Sequence, residues 1–239
     1  MAALTDQFGR AETDRRFFLG MAVAIAVTVF GGFGLSLARP TTQFAAAPIQ
    51  VHIHGAVFSL WIVFYVLQNA LVAGGSVAIH RRLGLFGAAL AAAVVGLGIT
   101  TTVMALQQHR VPPFFPPGVF LVMDLGCVAI FGGLVAAAIL LRSRGDWHKR
   151  LMLCGVIMVM SPALGRILPM PLLGPWGSWA VTAAMLVYFA VALAYDQTRR
   201  GRIHPAYVWG GAALLLNQLL IVALSFTPPV LKLAAWLAA

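Results

Sequence analysis

Long apolar runs alternate with short polar connections along the whole chain. Seven runs stand out, at about 17–38, 51–75, 83–106, 118–141, 151–169, 174–195 and 207–226. Each is close to the roughly 20 residues that cover about 30 Å of hydrocarbon at 1.5 Å per residue. Unpaired backbone groups are costly in lipid, so the runs are expected to be helices rather than open strands. The pattern predicts an all-α integral membrane protein: a seven-transmembrane helix bundle forming a single membrane domain over residues 1–239. Gly84, Gly87, Gly96 and Gly98 recur in the third run, where small residues let neighbouring helices approach closely.

The polar connections carry the orientation. With a cytoplasmic N-terminus, the inner side holds Arg10, Arg15, Arg16, Arg81, Arg82, Arg142, Arg144, Lys149, Arg150, Arg199, Arg200 and Arg202. The outer side keeps Arg39, Arg110, Arg166 and Lys232. Twelve basic residues against four obeys the positive-inside rule, so the expected topology is N-terminus cytoplasmic and C-terminus outside. Proline-rich stretches, 111–117 and 169–171, fall on the outer side and stop helices there. Trp176, Trp179 and Trp236 are expected at the outer interface, Trp147 and Trp209 at the inner one. Arg15-Arg16-Phe17-Phe18-Leu19 has the look of a twin-arginine signal, but 22 apolar residues and six further runs favour a first span.

Composition agrees. The chain is 61% hydrophobic and 9% charged, where a soluble domain carries about 25% charged residues. Its net charge of +10 does not point to nucleic acid, because the basic residues sit in short clusters between apolar runs. The expected setting is a bacterial inner membrane, with the lipid bilayer and a membrane-complex subunit as candidate partners and no nucleic acid. Cys127 and Cys154 lie inside apolar runs and read as packing residues. Zinc-protease, nucleophile-elbow, P-loop and dinucleotide motifs are all missing, so the reading leans away from an enzyme.

Chemistry must then come from rare polar residues. His52, His54 and His109 fall at outer ends of the runs, a candidate metal set; His80, His148 and His204 fall at inner ends, a candidate cofactor set. His52 and His54 are about 200° apart on a helix, so they do not share a face. From His54, Trp61, Tyr65 and Gln68 follow on one stripe, which is expected to face inward. Asp124 lies about 9 Å below the outer boundary and is expected to pair with Arg166 or face a cavity. Asn217, Gln218, Gln68 and Asn69 read as interhelical amides. Asp146 and Asp196 are candidates to orient inner histidines and, equally, to neutralise local arginines.

The pattern His54, Gln68, His80-Arg81-Arg82-Leu83-Gly84, then His148-Lys149-Arg150-Leu151-Met152 with Arg166 later, resembles an uncharacterised bacterial family of multi-pass membrane proteins, a domain of unknown function. The likeness covers roughly residues 50–170; where the family has Trp before the Met, this chain has Leu151. It implies the fold and the choice of residues, and no reaction. A looser likeness is to membrane b-type cytochromes, although His80, His148 and His204 sit at helix ends beside arginines rather than mid-helix. The leading expectation is a metal- or haem-binding redox or cofactor-assembly protein, with haem or a transition metal as cofactor. The alternatives are a small-ligand transporter or sensor, and an accessory subunit of a membrane complex.

Overall fold

The computed structural model describes residues 2–39 and 45–239, with backbone alone over 2–11. Arg10 of the inner basic set therefore lies outside the described side chains. The described chain is helical: α1 (Ala2–Leu37), α2 (Ile49–Ala73), α3 (Val77–Gln107), α4 (Pro117–Leu140), α5 (Gly145–Met158), α6 (Ser161–Ile167), α7 (Met170–Leu173), α8 (Gly177–Arg200), α9 (Pro205–Leu224) and α10 (Pro228–Leu237). Prolines mark many starts, at the first positions of α4, α6, α9 and α10, where a missing N–H costs no helical bond. Gly201, with φ +66°, closes α8 in the left-handed conformation.

Among the described residues, six helical segments are long and apolar enough to cross a membrane, and a seventh crossing exists if α5 and α6 count as one. Those two are bent by 47° at their break. The apolar run 151–169 is therefore not one uninterrupted helix, because Pro162 has no N–H to give Met158 and interrupts it. The third run also begins earlier than expected: α3 starts at Val77, which draws His80 into its first turn.

Burial explains the layout. From Leu153 to Ser161 every residue of α5 and the break is buried, so this segment is the central helix rather than a lipid-facing one. It packs against α4 and α9, through Phe131, Val135, Tyr207 and Leu214. Outward faces carry Val27, Leu85, Val187, Val208 and Leu219, the apolar surface that a bilayer would cover. Gly210 of α9 is a required close approach, since a Cβ there would meet the Cys154 sulfur at 2.5 Å.

Candidate functional site

A cleft of about 1960 Å³ opens at the end of the bundle that carries most of the arginines, between α1, α2, α3, α8 and the α4–α5 turn. Its inner walls are aromatic and aliphatic, with Trp61, Phe64, Tyr65, Val135 and Met152. Its mouth is basic, with Arg81, Arg142 and Lys149 among the residues there. The stripe expected on α2 does face inward: Trp61 and Tyr65 are buried and Gln68 is 9% exposed. The Trp61 indole nitrogen is buried with no hydrogen-bond partner among the described residues.

His80 and His148 meet in this cleft, with ring centres 6.1 Å apart and planes at 75°. His80 Nδ1 donates to Gln68 Oε1 at 2.9 Å, while Gln68 Nε2 donates to the His80 carbonyl at 3.4 Å. His148 Nδ1 donates to the Ala138 carbonyl at 2.8 Å. An oxygen acceptor at each Nδ1 assigns the proton there, which leaves each Nε2 with a free lone pair. Nδ1 held by a carbonyl while Nε2 is free is how proteins orient imidazoles for ligation.

His204, the third residue expected in this set, is elsewhere. It caps α9, its Nδ1 accepting from Ala206 N at 3.2 Å, and its ring packs edge-on against Trp147 at 5.0 Å. Burial, and then the nearby Arg150 charge, lower its pKa below the ordinary 6.5. The outer candidates do not assemble into a ligand set either. His54 stacks on Phe58 with centres 4.0 Å apart, and its Nδ1 is buried without a partner among the described residues. His52 is partly buried in the first turn of α2, and His109 is exposed at the end of α3 with φ +53°. Among the described residues no three of His, Cys, Asp and Glu gather as a metal site. Of the two histidine sets, the structure brings one pair ring to ring, His80 and His148.

Asp124 and Arg166 lie within electrostatic reach of one another, yet Asp124 forms no ion pair among the described residues. Arg166 is engaged otherwise: NH1 donates to the Pro162 carbonyl at 2.8 Å, and the guanidinium lies 4.3 Å from the Phe33 ring centre. The amides behave as helix connectors. Gln218 accepts from Thr182 at 2.8 Å and donates to Ser178 at 3.3 Å, and Asn217 donates to the Cys127 sulfur at 3.5 Å.

A charged network lines one wall of the cleft, in which Asp146 and Asp196 neutralise arginines, one of the two roles their sequence setting allows, and Asp14 is the member that the sequence does not reveal. Asp14 accepts from Lys149 at 2.7 Å, Tyr195 at 2.7 Å and Arg200 at 2.8 Å. Arg200 also donates to Asp146 at 2.9 Å, and Asp196 pairs with Arg150. Asp146 and Asp196 therefore hold arginines; neither orients a histidine ring, and Asp196 reaches only the His204 backbone N–H, at 3.1 Å. The spacings Asp146–Arg150 and Asp196–Arg200 are the one local signal of this network in the sequence. No family model matches the chain, and neither a curated protein nor a solved structure does.

Proposed function

We propose that the protein is a seven-span inner-membrane protein, N-terminus cytoplasmic, that binds haem in the end cleft, where His80 and His148 would hold its iron. The observation that carries this reading is the His80–His148 pair, with both Nδ1 atoms tied to carbonyls and neither Nε2 bonded among the described residues. Two imidazoles on opposite sides of one ion, each bonded at about 2 Å, have ring centres about 6 Å apart. The 6.1 Å separation fits that requirement.

The ligand count selects the type of metal. A zinc site draws three or four ligands from the protein, and two histidines do not supply them. Two are enough for an ion that arrives inside a macrocycle with four nitrogens of its own. The aromatic and aliphatic walls suit a flat apolar ring, and the basic mouth suits its acidic side chains. Bound there, haem supplies one-electron redox chemistry whose potential depends on the axial pair and burial. Gln68 and the Ala138 carbonyl fix the ligand tautomers, and Trp61 and Phe64 form the apolar surroundings.

The test is to express the full chain with haem precursor, purify it in detergent and record oxidised and reduced spectra. A six-coordinate low-spin spectrum is expected, lost in His80→Ala and in His148→Ala and kept in His204→Ala. A folded, colourless protein whose spectrum stays that of free haemin on titration overturns the reading. The second reading, a small-ligand transporter or sensor, draws on the outer half. There Asp124 stands unpaired among the described residues and the His54 Nδ1 lacks a partner. It predicts ligand binding that Asp124→Asn abolishes in a protein without haem.

A further inference from the structure

Five guanidinium groups line the cleft without a carboxylate partner among the described residues: Arg15, Arg81, Arg142, Arg199 and Arg202. The other two cations of the lining, Lys149 and Arg200, are already held by Asp14 and Asp146. Among the described residues those two aspartates are the only acidic ones of the lining, so the described walls offer no further anion to the remaining five. A cleft of that electrostatic character, apolar within and cationic at the mouth, is complementary to a ligand with an apolar body and free acid groups.

Two of the five flank the imidazole pair. Arg81 directly follows His80 at the start of α3. Arg142 lies one helical turn beyond Ala138, whose carbonyl orients His148. NH1 of Arg142 donates to the Ile139 carbonyl at 3.2 Å, which ties the side chain to the end of α4 and leaves Nε and NH2 free to donate. Arg15, Arg199 and Arg202 stand instead on or beside α1 and α8, across the cleft.

We propose that Arg81 and Arg142 are the specificity-determining residues of the cleft, each taking one free carboxylate of a dicarboxylate tetrapyrrole while His80 and His148 hold its metal. Guanidinium binds a carboxylate through paired N–H donors, a geometry that an ester oxygen cannot match in charge. The inference rests on the haem reading and adds to it a requirement that axial ligation alone does not impose: the acid groups must be free.

The full-length apoprotein in detergent is titrated with haemin and, separately, with haemin dimethyl ester, and the dissociation constants are compared from the absorbance change. Haemin is expected to bind about ten-fold or more tightly than the ester. In Arg81→Gln/Arg142→Gln the ratio is expected to fall towards one, with the six-coordinate spectrum retained; each single variant should fall between. Arg144→Gln, which removes a charge outside the cleft lining, should keep the wild-type ratio. Equal binding of acid and ester by the wild-type protein overturns the proposal and leaves haem binding intact. So does an unchanged ratio in the single variants, should the double variant fail to fold. A wild-type protein that gives no six-coordinate spectrum with either compound overturns the haem reading itself, and this proposal with it.

Discussion

Arg150 and Asp196 meet edge to edge with neither side chain exposed, 46 residues apart in the chain. Nε donates to Oδ2 at 2.9 Å and NH2 to Oδ1, while the guanidinium lies 5.7 and 5.6 Å from the centres of the Phe18 and Tyr207 rings. The pair joins the start of α5, the central helix, to the end of α8. Removing one partner leaves the other buried with only its lesser contacts, Asp146 for Arg150 and the His204 N–H for Asp196, a loss of up to about 3–5 kcal/mol, whereas replacing both by apolar groups of similar volume is close to neutral. Arg150→Met is therefore expected to lower the melting temperature in detergent markedly, and Arg150→Met/Asp196→Leu to recover most of the loss. A single variant that melts with the wild type would refute the pairing.

What was legible in the sequence follows from what hydropathy encodes. Apolar runs report which segments suit lipid, so the helical, membrane-type architecture and the inward stripe of Trp61, Tyr65 and Gln68 could be read directly. Pairing between distant segments leaves no such trace. Arg150 reads as one more basic anchor beside Lys149, although it is fully buried against Asp196. His204 reads as a third inner histidine until its role as the cap of α9 is seen. Gln68 was legible as a polar residue on the stripe, but its hold on His80 depends on the turn between α2 and α3, which folds the two helices back on each other.

Gln68 has a measurable consequence for the cleft. It bonds both the ring and the carbonyl of His80, so it sets the tautomer as well as the ring direction. Partners of this kind are worth about 10–100-fold in metal affinity. Gln68→Leu should weaken haemin binding by that order, while Gln68→Glu, which keeps an oxygen acceptor at Nδ1, should lose less. Equal affinities for the three proteins in a spectral titration would remove Gln68 from the site.

The contact of α4 with the end of α9 gives a test of the packing. A Cβ on Gly118 would run into the backbone carbonyl of Ser225, and backbone cannot swing away as a flexible side chain can. Gly118→Ala should destabilise by about 1–3 kcal/mol, the usual cost of forcing a methyl into a filled space. Gly20→Ala, with nothing within 4 Å of the new methyl, should melt no lower than the wild type. Thermal melts of the two variants in one detergent make the comparison, and a loss in Gly20→Ala as large as in Gly118→Ala would contradict this account.

His204 makes stability depend on pH with a definite sign. Its Nδ1 accepts the Ala206 N–H, which only the neutral ring can do. Burial and the Arg150 charge favour that neutral form, outweighing Asp146 and Asp196, which act the other way. The folded pKa therefore lies below the ordinary 6.5 of the unfolded chain. Above 6.5 neither state binds the proton and the cap contributes fully. As pH falls below 6.5 the unfolded chain takes up its proton first, so stability declines until the folded ring titrates at its lower value. His204→Asn keeps a capping oxygen with no titration. Melting temperatures measured from about pH 7.5 down to about pH 5 should thus fall more steeply for the wild type than for His204→Asn. Parallel slopes would show that the His204 cap does not titrate in this window.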